Sequence, residues 1–204
     1  MAHLSAEDLR RIGAAIKAAE ARTSGEIVCV FARASTDHMA YATAWSAIIA
    51  LIAPWFLLAL TSLSVREIFV AQIVIFTALF LILSEAAIGR LLVPRRARRA
   101  HAHRAATEQF MIRGMARKRN GAAVLIFVSL SERYARIVAG EGIAAKARPS
   151  VWQEAVDALL ERAKAGEIAE GFLIAVEKCG DILAEHFPSA PGREDELPDR
   201  IYII

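Results

Sequence analysis

The stretch YATAWSAIIALIAPWFLLALTSL, from Tyr41 to Leu63, contains no charged residue. As a helix rising 1.5 Å per residue it is long enough to cross a hydrocarbon core of about 30 Å. Pro54 falls near its middle, where it should kink the helix, a cost that neighbouring helices absorb in a membrane. A second apolar run predicts another span over residues 68–93, uncharged until Glu85 and Arg90, which would sit near the headgroups. Only Thr61-Ser62-Leu63-Ser64-Val65-Arg66-Glu67 lies between the two. So short a link forces an antiparallel hairpin and puts both flanks on one side of the membrane.

Charge says which side. The net charge of the 204 residues is only +3, but Arg95, Arg96, Arg98, Arg99 and Arg104 crowd the exit of the second span. The tip offers a single arginine, Arg66. The positive-inside rule then places the tip outside and both flanks in the cytoplasm, which makes the chain a multi-pass protein of the inner membrane. The same arginines are candidates for anionic lipid headgroups, each contributing on the order of 1 kcal/mol and screened by salt. No aromatic residues interleave with them as on a nucleic-acid platform, so nucleic acid is not an expected partner. Residues 1–22 carry Glu7, Asp8, Arg10, Arg11, Lys17 and Glu20 and have no continuous apolar core, so no secretory leader is expected there.

Outside the hairpin the chain reads as water-soluble protein. Ser5 is a helix N-cap with acids behind it, and Leu9, Ile12, Ile16 and Ala19 recur at helical spacing up to about Ala21. Glu26 to Phe31 is short, apolar and β-branched, so it predicts a strand buried on both faces. After the hairpin come a helix over 97–115, the turn Asn120-Gly121, a strand over 122–128 and an alternating strand over 134–138, the last two forming a hairpin. Helices follow over 151–166 and 167–186. Ile201-Tyr202-Ile203-Ile204 is a candidate docked strand. Strands as apolar as 26–31 and 122–128 belong in one sheet, and a crossover between them suits a parallel pair. The membrane block is therefore an insertion into one α/β domain: 1–39 is its first part, 40–93 the hairpin (about 41–63 and 68–93), 94–187 its second part and 188–204 a tail. About 150 residues lie outside the block, enough for one core.

The order of helix, Thr23–Glu26 turn, strand, helix, Asn120-Gly121, strand, hairpin strand, Gly140-Glu141-Gly142-Ile143 and paired helices resembles the TPM domain family. That family is named for a thylakoid lumen phosphatase, a photosystem repair factor and an ion-channel modulator. The resemblance covers most of the chain outside the hairpin. It implies a small three-layer α/β domain of sheet and helices, here interrupted by a transmembrane hairpin. It also implies a divalent metal such as calcium or magnesium and phosphatase activity in members with acidic residues after the glycine turn. Here that stretch, Ala144 to Trp152, contains no carboxylate. The leading expectation is thus a binding or accessory module for membrane proteins. The alternatives are a divalent-metal-dependent phosphatase and a structural anchor on anionic lipid.

Metal-assisted phosphoryl chemistry needs gathered carboxylates. Glu141, between two glycines at a strand end, is the best single candidate for catalysis or metal binding, because glycine lets backbone approach a ligand closely. Glu26 and Glu132 would join it only if the strand ends converge. Asp157 and Glu161 sit one helical turn apart, as a solvated face also requires. His101 and His103 are two apart and point to different faces of a helix; His38 and His186 are isolated. Trp152 reads as a core anchor. Cys29 and Cys179 read as small buried hydrophobes, and no C-x-x-C pair exists. Small residues four apart in the first span (Ala40 and Ala44, Ala42 and Ser46, Thr43 and Ala47) permit close packing, on the hairpin partner, on a second copy or on another membrane protein.

Overall fold

The computed structural model describes residues 4–35, 38–85, 88, 93–118, 120–189 and 200–204. It divides into two compact units, residues 1–35 with 99–204, and residues 36–98.

The first unit is built on a four-stranded sheet of order β3-β2-β1-β4. Its strands are β1 (Glu26–Ala32), β2 (Ala123–Ser129), β3 (Tyr134–Ala139) and β4 (Ile201–Ile203). β1 and β2 pair in parallel with Glu26 opposite Ala123, β2 and β3 form the antiparallel hairpin, and the terminal strand docks in parallel on β1. Every residue of β1 and β2 is buried, which is why both read as continuous apolar runs rather than as alternating ones. Side chains of alternate parity supply two cores. Ile27, Cys29, Phe31, Val124, Ile126 and Val128 pack under α1 (Ala6–Glu20) and two helices near the C-terminus. Val28, Val30, Leu125 and Phe127 pack under α4 (Arg95–Ile112) and a 3-10 turn at Met115–Arg117. The result is the expected three layers of helix, sheet and helix.

Local chemistry sets the element ends. Ser5 and Asp8 form a capping box at the start of α1: the Asp8 carboxylate accepts from the Ser5 N–H at 2.9 Å, and Ser5 Oγ accepts from the Asp8 N–H at 3.1 Å. The Gly140 to Ile143 stretch is more than a strand terminus. Gly140 is the N-cap of a single helical turn, α5 (Glu141–Ala144), followed by α6 (Pro149–Lys164) and α7 (Ile168–His186). Part of the tail is also docked rather than free, since Pro188 bridges to Thr23. Residues 190–199 lie outside the described residues.

The second unit holds α2 (His38–Leu60) and α3 (Val65–Ser84), joined by four residues and packed on each other. His38 Nε2 lies 3.2 Å from the Ser84 carbonyl oxygen, so the helices run antiparallel with their far ends together. α2 continues through Pro54. α3 starts three residues before the span read from sequence, because Ser64 and Glu67 make a second capping box: the Glu67 carboxylate accepts from the Ser64 N–H at 2.7 Å. α3 ends at Ser84; Arg90, with residues 86, 87, 89, 91 and 92, lies outside the described residues. Both helices are long and apolar enough to cross a membrane, with mean hydropathy 2.0 and 2.3, and only 11% and 6% of their apolar windows are buried.

Candidate functional site

The turn before β2 and the glycines after β3 meet at one end of the sheet. Gly121 takes a left-handed backbone (φ +61°), and its carbonyl accepts from the Ile143 N–H at 3.2 Å. A Cβ added to Gly142 would lie 2.1 Å from the Asn120 carbonyl oxygen, so backbone passes directly over backbone. Asn120 fixes its own side of this contact by accepting from the Ala122 N–H at 3.0 Å. The group that approaches the Gly140–Gly142 backbone is therefore the chain's own Asn120-Gly121 turn. Glycine is required here for packing, and Glu141 is exposed on the single turn of α5.

Glu26 begins β1 at this same end, and it is occupied. Its side chain is fully buried, and its Oε1 accepts from Nζ of Lys118 at 2.7 Å, the lysine side chain being 9% exposed. Glu132 is at the other end. It sits in the β2–β3 turn, where its carboxylate accepts from Ser129 Oγ and, at 3.1 Å, from the Ser35 N–H. The antiparallel register separates it from Glu141 by the full length of the hairpin. Glu26, Glu132 and Glu141 thus do not converge, and among the described residues no three His, Cys, Asp or Glu side chains gather as a metal site would need. This donor set does not fit a resident divalent metal, and no chemical step is derived through one.

The remaining candidates are dispersed. Asp157 accepts from Gln153 at 2.8 Å on the exposed face of α6, and Glu161 is exposed one turn on. The His186 carbonyl accepts from Lys146, and His101 is half-buried on α4. Arg95, Arg96, Arg99 and Arg104 are exposed on α4, and Arg98 is half-buried. Cys29 and Cys179 are free and fully buried, and burial drives both thiols well above their ordinary range. Trp152 packs against the core as expected.

His103 has partners that its spacing from His101 did not reveal. Nη1 of Arg136 lies 2.7 Å from Nε2 and 2.8 Å from Nδ1 of its ring, and the Tyr134 hydroxyl lies 3.4 Å from Nδ1. Partial burial, then the neighbouring Arg136 guanidinium, lower the pKa of His103. Arg133, Arg136 and Gln153, which line a cleft with Arg99, were not singled out by sequence. The available signal was alternation: Tyr134, Arg136 and Val138 form one face of a strand whose other face is apolar.

Residues 91–182 match the family model of the TPM domain. The fold resembles the NMR structure of the BA42 protein from the psychrophilic bacterium Bizionia argentinensis, with a TM-score of 0.62 at 20% identity, covering 98% of this chain and 95% of that one. At that identity the likeness speaks for the fold alone. Comparison with curated proteins finds no match. The family match over residues 91–182 supports a TPM domain there, and the fold agrees with it.

Proposed function

We propose that this TPM-domain protein is integral to a bacterial-type inner membrane, with its domain in the cytoplasm, where it serves as a binding or accessory module for other membrane proteins. The observation that carries the reading is the apolar surface of α2 and α3. Trp55, Phe56 and Leu58 on α2 and Phe69, Ile73 and Leu81 on α3 are each more than 60% exposed. Water-exposed apolar area costs about 25 cal/mol per Å², so helices apolar all round belong in lipid. The arginines after the second helix favour the cytoplasmic side. Within the hairpin, Ala42, Ser46 and Ala50 form the buried stripe of α2, whereas Ala40 and Ala44 stay exposed. That leaves a second small-residue pair for another membrane helix or a second copy.

Three assays test this reading. After alkaline carbonate washing the full chain should remain in the membrane pellet; release into the supernatant would refute membrane integration. Glu141→Gln should leave the accessory role intact, whereas a metal-dependent phosphatase centred on Glu141 would lose hydrolysis and metal binding together. As a lipid anchor, the chain would lose vesicle binding on neutralising Arg95, Arg96, Arg98 and Arg99.

A further inference from the structure

Among the described strands β3 has one neighbour, β2, and so lies at an edge of the sheet. Along that edge runs a cleft of about 440 Å³ lined by Arg99 of α4, Arg133 and Arg136 of the β2–β3 hairpin, and Pro149, Trp152 and Gln153 from the first turns of α6. The side chains of Arg99 and Arg133 make no hydrogen bond or ion pair among the described residues. Among the described residues the Arg136 side chain donates to the His103 ring and, at 3.5 Å, to Thr107 Oγ1. The carboxylate bonded to a lining residue is that of Asp157, which accepts from Gln153. The Tyr134 phenol lies in the same field: burial raises its pKa, and the Arg136 and Arg99 guanidinium groups pull it back.

Charge on an edge strand deters pairing with another chain, and a single charge of either sign serves that purpose. It does not require guanidinium groups from a helix, a turn and a strand to meet on one cleft. Nor does it explain why α6 starts there with no side-chain cap and no acid in its first turn. Pro149 has no N–H and the Val151 N–H donates to the Arg148 carbonyl at 3.2 Å, so this N-terminus offers chiefly the positive end of the helix dipole, which favours anions. Three guanidinium groups suit a ligand with several acceptor oxygens and a charge of about −1.5 to −2, which is a phosphate group. We propose that this cleft binds a phosphate group, carried either by an anionic lipid headgroup or by a soluble phosphate ester. This site is independent of the accessory role and of Glu141.

The test is calorimetric titration of inorganic phosphate and of phenyl phosphate into the full chain in maltoside micelles free of phospholipid, repeated in phosphatidylglycerol nanodiscs. Binding is expected in micelles, weakened about tenfold or more by Arg133→Gln, the loss of one charge-assisted hydrogen bond. Arg66→Gln removes the same charge from the first turn of α3 and should leave affinity unchanged. Thermal melting of both variants should match the parent, since both side chains are exposed. Weakened soluble-phosphate binding in the nanodiscs would identify the headgroup as occupant; retained binding would identify a soluble ester. No binding in micelles, or equal affinities for the parent and Arg133→Gln, or equal losses for Arg133→Gln and Arg66→Gln, would overturn the proposal.

Discussion

Nζ of Lys118 lies 2.7 Å from Oε1 of Glu26, in a site where the glutamate side chain is wholly buried. The pair ties the first residue of β1 to the chain just after the 3-10 turn, across 92 positions of sequence that include the whole apolar hairpin. An ion pair this deep adds little net stability, because desolvation offsets most of the attraction, but removing one partner strands the other. Lys118→Met should therefore destabilise the domain by about 3–5 kcal/mol. Lys118→Met combined with Glu26→Gln should recover much of the loss. Thermal unfolding followed by circular dichroism in micelles measures both; a single variant as stable as the parent would contradict the pairing.

The glycine contact gives a second expectation. Gly166 has φ +87° with nothing within 4 Å of an added Cβ, so Gly166→Ala should cost about 1–2 kcal/mol of backbone strain. Gly142→Ala places its Cβ 2.1 Å from a backbone oxygen and should cost more, to the point of failed folding. The order of the two melting temperatures decides it, and a milder Gly142→Ala would refute the interlocked turns.

The thiols should be silent. Cys29 and Cys179 are fully buried, and burial raises the pKa of both, so almost no thiolate exists at neutral pH. Maleimide should label neither until the chain is denatured. Labelling of the folded protein would contradict the packing of β1 against α7.

His103 supplies the pH dependence. Its folded pKa is lowered, so the folded state takes up the proton less readily than the unfolded chain does. Its contribution to stability is unimpaired above the unfolded pKa of about 6.5 and falls as pH drops through that value towards the folded pKa. An NMR titration of the imidazole should give a midpoint below the ordinary histidine value, moving up in Arg136→Gln. A midpoint at or above the ordinary value would refute the contact.

Most of the fold was legible because it depends on periodicity. Unbroken apolar runs at 26–31 and 122–128 identify a buried parallel pair, and Ile201 to Ile203 carries the same signature in miniature. Two uncharged runs and a short link leave little freedom for α2 and α3. The Ser64–Glu67 capping box, which starts α3 at Val65, was readable by the same rule that identified Ser5. The site was not legible in this way. Nothing local in the sequence shows that Lys118 reaches Glu26, or that Arg99, Arg133 and Arg136 share a cleft, because these meetings are set by tertiary packing. Glu141 between two glycines drew attention for a ligand loop, while the contact that explains those glycines lies about 20 residues upstream, at Asn120.

Topology tests the central claim most directly. A fluorescent protein and an exported-enzyme reporter, fused in parallel after Ile204, report which side of the membrane holds the domain. The account expects fluorescence without exported-enzyme activity, the outcome that two spans followed by an arginine cluster would give under the positive-inside rule. Exported-enzyme activity without fluorescence would put the domain outside and contradict the placement of those arginines on the inner face.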